Sequence, residues 1–113
     1  MIVALVLWLQ VSGGVQGVRD DVRVEEGRVR VHRGTQSCDL SLSDSDRERL
    51  AAALREVRPH NWKGKYLDDC RDCFSYSLRV GDRTIVWNSS AANQVPADAR
   101  RVASVMLDLM TCQ

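Results

Sequence analysis

Alternating hydrophobic and polar positions predict two β-hairpins. Valines alternate with charged residues over residues 22–31, and Gly27 interrupts the alternation near its middle. Apolar residues alternate with polar ones over residues 74–88, on either side of the pair Gly81-Asp82. Runs of period two around a glycine turn are typical of hairpins. The charged outer face of the first hairpin would protect a sheet edge from pairing with other chains.

The segment between the hairpins predicts a third strand followed by a helix. Alternation over residues 38–42 indicates a strand with one buried face. Ser43 or Ser45 is placed to cap a helix, and apolar residues then recur at helical spacing. Pro59 ends this helix, because proline disfavours the helical conformation of the residue before it.

The C-terminal segment predicts a second amphipathic helix. Pro96 suits its first turn, where a missing N–H costs nothing. Its apolar stripe consists of Val102, Val105, Met106 and Leu109. The order is therefore β-hairpin, strand, helix, β-hairpin, helix. We expect one α+β domain over residues 18–113, with an antiparallel sheet and both helices packed on one face.

The N-terminus predicts a signal peptide over Met1–Gly17. An unbroken apolar run covers Ile2 to Leu9, and small and polar residues follow as far as the first charge at Arg19. The run is too short to span a bilayer but fits the apolar region of an export signal, with cleavage after Gly17. No lysine or arginine precedes it, and a buried N-terminal strand is the alternative. We expect a secreted or periplasmic protein with no membrane attachment after cleavage.

The four cysteines predict disulfide bonds. An even cysteine count in a small exported chain is typical of a disulfide framework, and four cysteines allow three pairings. The C-x-x-C formed by the second and third lacks the helix N-terminus that activates redox thiols, and the spacing is unlike that of zinc sites. We therefore assign all four cysteines to structural disulfides, namely Cys38, Cys70, Cys73 and Cys112. We expect neither a metal nor a cofactor.

Composition argues against nucleic-acid binding. The 113 residues include 16 basic and 15 acidic side chains, a formal net charge of +1. Nucleic-acid-binding domains usually have a strong basic excess. The balanced charge is typical of an ordinary solvated surface.

No recognisable catalytic motif is present. His32 and His60 are the only histidines. With Lys63 or Lys65 as the cation, they could support a small secreted nuclease that cleaves phosphodiesters by acid–base catalysis. Nothing in the sequence places these residues together, so we expect a protein that is not an enzyme and keep the nuclease as an alternative.

The loop after Pro59 is the predicted binding element. Two aromatic residues stand in it among polar ones, and exposed aromatic anchors often carry binding energy. The competing interpretation is that Trp62 folds back to cover the sheet. The candidate contacts are this loop as far as Asp69, with His60, Trp62, Lys63, Lys65 and Tyr66, together with the hairpin tip near Gly27.

The chain resembles the emfourin family, small protein inhibitors of thermolysin-like zinc metallopeptidases such as protealysin. The similar segments are Leu40-Ser-Leu-Ser-Asp with the following Arg49-Leu-Ala-Ala-Ala-Leu, then Phe74-Ser-Tyr-Ser-Leu-Arg-Val, Arg83-Thr-Ile-Val-Trp and Val95-Pro96. They fall within residues 22–110, most of which the resemblance covers. It implies a small inhibitory domain and contributes no contact residue.

These observations together favour a secreted, monomeric, non-enzymatic binding protein. Its expected partner is another protein, with inhibition of a secreted metallopeptidase as the leading activity. An exported structural module is a third possibility beside the nuclease.

Overall fold

The computed structural model describes residues 5–112 and shows an α+β fold. The two α-helices are α1 (Asp44–Arg55) and α2 (Ala97–Leu109), and short 3₁₀ helices cover Pro59–Asn61 and Ser89–Gln94. The strands are β1 (Leu7–Gly13), β2 (Val18–Glu25), β3 (Arg28–Arg33), β4 (Gln36–Ser41), β5 (Lys65–Tyr66), β6 (Phe74–Val80) and β7 (Arg83–Asn88). Both predicted hairpins are confirmed, as β2–β3 and β6–β7.

All seven strands form one sheet in the order β4-β3-β2-β1-β6-β7-β5. The prediction of a purely antiparallel sheet is wrong, because β5 pairs with β7 in parallel. Strand β5 is only two residues long, Lys65 and Tyr66, and lies in the segment predicted to be a loop. Two residues are too few to show an alternating pattern, so this strand depends on its neighbour rather than on local sequence.

The N-terminal segment forms a central strand. Strand β1 pairs with β2 on one side and with β6 on the other, over the same seven residues from Leu7 to Gly13. The residues assigned to a signal peptide therefore include one strand of the folded sheet, which corresponds to the alternative interpretation of the apolar run. A chain cut after Gly17 would lack this strand. Cleavage itself stays a prediction.

One hydrophobic core joins the sheet to both helices. Its most deeply buried side chains include Leu9, Val22 and Leu78, whose exposed fractions are 0%. These three lie opposite one another across β2, β1 and β6, in register at the middle of the sheet. The predicted stripe of α2 belongs to the same core, as do Leu50 and Ala53 of α1. The two α-helices contact each other, with ion pairs Arg49–Asp108 and Arg101–Glu56 across their boundary.

Capping explains where α1 begins. The Ser43 hydroxyl accepts a hydrogen bond from the Asp46 backbone N–H at 3.1 Å, so Ser43 and not Ser45 is the N-cap. Asp44 and Asp46 lie in the first turn, where negative charge is favourable beside the positive end of the helix dipole. The helix ends before Pro59, as predicted. None of the helices within residues 5–112 is long and apolar enough to span a membrane.

Strand β4 differs from its prediction in burial. It forms one edge of the sheet, and Leu40 is 40% exposed although the alternation predicted a buried position. A disulfide between Cys38 on this strand and Cys112 connects the edge to the segment after α2, with 5.9 Å between the two Cα atoms. Cys70 and Cys73 form the second pair. The structure thus contains a Cys38–Cys112 disulfide, and the assignment of all four cysteines to structural disulfides stays a prediction.

Candidate binding surface

The predicted binding loop turns its larger aromatic residue inward. Trp62 is only 6% exposed and belongs to the core. Its indole Nε1–H donates to the carboxylate of Asp98 at 3.1 Å, so the one polar atom of the ring is satisfied. The same carboxylate accepts from the Arg58 backbone N–H at 2.8 Å. The structure therefore shows Trp62 in the role that the competing interpretation gave it, an anchor that holds the loop to α2.

The other candidate residues of this loop do not form an aromatic patch. Tyr66 is half-buried, and its hydroxyl accepts a hydrogen bond from the Lys63 backbone N–H at 2.9 Å. The side chains of His60, Lys63 and Lys65 are exposed. The surface around these candidate residues carries two lysines, and the exposed apolar residue of the loop is Leu67, outside the candidate set. Binding energy in protein interfaces concentrates on desolvated anchors.

The hairpin tip near Gly27 packs against the start of α1. The Gly27 carbonyl accepts a hydrogen bond from the Leu42 N–H at 2.9 Å, and Glu26 and Gly27 both have positive φ angles, 52° and 75°. On the adjoining face, Arg28 pairs with Asp39 at 2.9 Å. This tip is a tight, charged turn whose backbone already forms a hydrogen bond within the fold.

The residues of the nuclease alternative lie on opposite parts of the sheet. His32 is on β3 and Lys65 on β5. The strand order puts five strand-to-strand steps between β3 and β5, a separation of roughly 24 Å at about 4.8 Å per step. His60 belongs to the 3₁₀ helix that leads into β5. Within residues 5–112 no three histidine, cysteine, aspartate or glutamate side chains cluster as metal ligands would.

A different element protrudes from the sheet, the glycine turn formed by residues 13–17 between β1 and β2. Val15 at its tip is 85% exposed, well above the next most exposed large hydrophobic residue, Leu67 at 57%. Gly13, Gly14 and Gly17 all have positive φ angles, 101°, 77° and 66°. Glycine adopts such angles without steric penalty. The glycines thus shape a narrow turn that presents an aliphatic side chain to solvent.

The glycine turn is held from one side by the segment that enters β6. The Gly14 N–H donates to the Cys73 carbonyl oxygen at 3.1 Å, and a Cβ added at Gly13 would lie 2.6 Å from that same oxygen. A Cβ at Gly14 would lie 2.9 Å from the Phe74 ring. A side chain at Gly13 would therefore collide with backbone, whereas at Gly14 the positive φ angle favours glycine and the Phe74 ring would have to shift.

The loop that supports the turn is itself closed by the Cys70–Cys73 disulfide. Its start is held by Asn88, whose side-chain N–H donates to the Asp68 carbonyl oxygen at 2.6 Å. Its end is held by Ser89, whose hydroxyl accepts from the Phe74 N–H at 3.0 Å. We call residues 13–17 and 67–74 together the turn–loop surface.

A shallow groove lies beside the turn–loop surface. Its volume is ≈ 350 Å³. Arg33 is one of its lining residues, and its guanidinium donates to the Met110 carbonyl oxygen at 3.3 Å and lies 3.8 Å from the Asp20 carboxylate. The apolar lining consists of Val11, Val18, Phe74, Tyr76, Leu107 and Met110. Within this groove, exposed apolar side chains therefore lie next to buried or half-buried ones.

The sequence contains a local signal for this surface. The pattern Gly13-Gly14-Val15-Gln16-Gly17 is that of a tight turn, but its position after an apolar run made it a cleavage region. The arrangement can do what a binding protein requires, because a small apolar tip is exposed on a backbone held in place. Comparison with protein-family models and with curated proteins finds no match to this chain.

Proposed function

We propose that this protein is a secreted, non-enzymatic binding protein that inhibits a metallopeptidase, and that it binds its partner through the turn–loop surface. The observation that carries the proposal is the exposure of Val15, 85%, on a turn whose backbone is fixed by the Gly14–Cys73 hydrogen bond. Burial of an apolar side chain in a pocket of the partner contributes to the free energy of binding. The resemblance to metallopeptidase inhibitors supports the choice of partner.

Rigidity is the physical reason for preferring this surface to the loop around Trp62. A segment that is ordered before binding loses less conformational entropy when the complex forms. The glycine turn satisfies this condition through its contact with the disulfide-closed loop, and it also offers an apolar group. The loop around Trp62 is ordered too, but the Trp62 ring is buried in the core.

The disulfides support export to an oxidising compartment. Disulfides persist in secreted and periplasmic proteins and are rare in reducing compartments. The Cys38–Cys112 bond closes a segment of 74 residues and so links the sheet edge to the end of the chain. This proposal replaces cleavage after Gly17 with retention of strand β1, because the glycine turn connects β1 to β2, and export in it rests on the disulfides. It acts as a monomer with both helices on one face of the sheet, which leaves the turn end open.

Titration against a thermolysin-like zinc peptidase tests the proposed function. We expect cleavage of a peptide substrate to decrease with added protein and to stop at micromolar concentration. The matched control is the same protein reduced and alkylated at its four cysteines, for which we expect weaker inhibition. Full peptidase activity at micromolar native protein, across several enzymes of this class, contradicts the proposal.

A further inference from the structure

We infer that Cys70 and Cys73 form a redox switch, which a dithiol opens while the Cys38–Cys112 bond stays closed. Opening the switch releases the loop that supports the glycine turn and leaves the sheet and both α-helices folded. The inference does not depend on the proposed function. Three observations carry it: the exposure of the pair, the size of the ring that it closes and the contacts that this ring holds in place.

The two cysteine pairs differ in how easily a reductant reaches them. Cys70 is exposed and lies within the run 67–72, in which every residue is exposed. Cys38 and Cys112 are both half-buried and pack against the hydrophobic core. The rate of thiol–disulfide exchange depends on access to the sulfur atom that is attacked. A dithiol in solution therefore reaches Cys70 first.

The pairs also differ in how strongly the fold favours each bond. Cys70 and Cys73 are three positions apart, and their Cα atoms lie 5.8 Å from each other, within the range that a disulfide spans. Cys38 and Cys112 are 74 positions apart. A short ring restricts the unfolded chain less than a long one. Because the same free energy links folding to disulfide formation, the short-ring bond is the easier one to reduce in the folded protein.

The ring holds the contact on which the glycine turn rests. Asp72 inside the ring has a φ angle of 55°, a left-handed conformation that residues other than glycine seldom adopt. The next carbonyl oxygen, that of Cys73, accepts the hydrogen bond from the Gly14 N–H at 3.1 Å. When the ring opens, Asp72 is free to return to a negative φ angle, which moves the Cys73 carbonyl away from Gly14. The switch therefore acts on the turn through one hydrogen bond.

Contacts on either side of the ring limit how far the opening spreads. The Asn88 side-chain N–H donates to the Asp68 carbonyl oxygen at 2.6 Å, and the Ser89 hydroxyl accepts from the Phe74 N–H at 3.0 Å. Neither contact involves a cysteine, and Phe74 is the first residue of β6. Residues 69–73 are therefore the segment that opens, whereas β6 and the core beneath it stay folded.

The exchange has a preferred direction. The Cys73 Sγ lies 3.5 Å from the Ser90 hydroxyl oxygen, whereas the Cys70 Sγ lies 3.8 Å from the Arg71 carbonyl oxygen. A hydroxyl can donate to a thiolate and a carbonyl cannot, so Cys73 is the better leaving group. A thiolate of the dithiol attacks the exposed Cys70 Sγ and the Cys70–Cys73 bond breaks. Cys73 leaves as a thiolate and takes a proton from water.

A second exchange completes the reduction. The other thiol of the reductant loses its proton and attacks the reductant's own sulfur in the mixed disulfide with Cys70. The reductant leaves as a cyclic disulfide, oxidised by two electrons, and the Cys70 thiolate takes up a proton. Both cysteines then carry thiols, and the ring is open.

Stepwise reduction of the folded, full-length chain tests the inference. The protein is equilibrated with increasing dithiothreitol, free thiols are trapped with iodoacetamide, and mass spectrometry of peptides locates the label. We expect Cys70 and Cys73 to be labelled at ~10-fold less dithiothreitol than Cys38 and Cys112, since exposed disulfides are the more easily reduced. Labelling of Cys38 and Cys112 first or at the same concentration overturns the inference, and so does labelling of Cys70 and Cys73 without reductant.

Amide hydrogen exchange measures the opening itself. In the partly reduced protein the Gly14 N–H should exchange ~10-fold faster than in the oxidised protein, because local opening exposes it to solvent. The N–H of Val22, in the buried centre of β2, should keep its rate. An unchanged Gly14 rate after reduction of Cys70 and Cys73 overturns the inference. Faster exchange at Val22 does so too, because it would mean that the whole sheet opens.

The double variant Cys70→Ser with Cys73→Ser is the matched control. It should show the faster Gly14 exchange without any reductant, and dithiothreitol at the concentration that spares Cys38–Cys112 should change nothing further. A Gly14 rate equal to that of the oxidised native protein would show that the ring does not hold the turn, and would overturn the inference.

Ser90→Ala tests the direction of the exchange. At one dithiothreitol concentration we expect the Cys70–Cys73 bond to be reduced several-fold more slowly, because the leaving thiolate loses its hydrogen-bond donor. The control is Ser37→Ala, which removes an exposed hydroxyl beside Cys38 on β4 and should leave the rate unchanged. Equal rates for Ser90→Ala and the native protein would overturn the assignment of Cys73 as the leaving group.

Discussion

The loop 59–66 and the glycine turn 13–17 use their apolar residues in opposite ways. The loop contains a tryptophan and a tyrosine, and it places the tryptophan in the core, 6% exposed and bonded to Asp98. The turn contains one valine among glycines and leaves it 85% exposed. Aromatic content alone therefore does not identify a binding loop. What distinguishes the two is whether the surrounding fold provides a place for the side chain.

The two segments also differ in what holds their backbone in place. The side chain of Trp62 fixes its loop through the indole ring, whereas backbone contacts to Cys73 and Phe74 fix the turn. A segment held by its backbone can leave its side chains available to a partner. A segment held by a side chain cannot offer that same side chain. Five predictions test this difference and the framework around it, from the largest expected loss of stability to the smallest.

Removing residues 1–17 should have the largest effect. The deletion takes away the strand between β2 and β6 together with the buried side chains of Leu7, Leu9 and Val11. Because small domains are stable by only about 5–15 kcal/mol, we expect no cooperative folding. Circular dichroism and thermal melting of the truncated chain check this. A truncated chain that melts cooperatively near the native temperature would show that β1 is dispensable.

Trp62→Ala should lower the free energy of unfolding by about 3–5 kcal/mol, the range for removal of a buried aromatic side chain. Denaturant unfolding measures it, and Lys63→Ala is the control because that side chain is exposed. Inhibition by the folded fraction should be retained. A change below 1 kcal/mol with lost inhibition would instead make Trp62 a contact residue.

Replacing both Cys70 and Cys73 by serine should cost about 2 kcal/mol, because the chain-entropy relation gives little stabilisation for so short a ring. Cys38 and Cys112, which are separated by 74 residues, should contribute about 4–5 kcal/mol by the same relation. Denaturant midpoints of the two double variants give the comparison. Equal losses would show that ring length does not govern either bond.

Gly13→Ala should cost about 2 kcal/mol, since a positive φ angle and a close approach act together. The added Cβ would meet the Cys73 carbonyl oxygen at 2.6 Å. Gly17→Ala is the matched control: its φ is 66°, but nothing lies within 4 Å of the added Cβ. We expect about 1 kcal/mol there, from the backbone conformation alone. Similar melting temperatures for the two variants would indicate that the turn does not rest on the loop.

Val15→Ala should have the smallest effect on stability, within about 0.5 kcal/mol, as for other exposed positions. Its thermal midpoint should equal that of the native protein. The same variant is expected to weaken inhibition, so stability and binding should separate at this residue. A marked loss of stability would mean that Val15 is packed in solution and is not a free tip.

Local signals predicted much of the secondary structure. Alternation over residues 22–31 and 74–88 gave both hairpins, and Pro96 with its following stripe gave α2. The burial of Leu40 was predicted wrongly, because alternation indicates a strand but not whether anything covers its face. The binding site was harder to predict, since exposure depends on neighbours that are distant in the chain.

Sequence alone determined the hairpins, the presence of both α-helices and the even set of cysteines, because turns and periodicity act between residues that are close in the chain. Tertiary structure decided the rest. It paired Gly13 with Phe74 and joined Cys38 to Cys112, contacts between residues more than 60 positions apart. Pairing with β2 and β6 made the apolar N-terminal run a strand, and the packing of the whole fold buried Trp62 and left Val15 exposed, since burial is a property of the assembled fold and not of any segment.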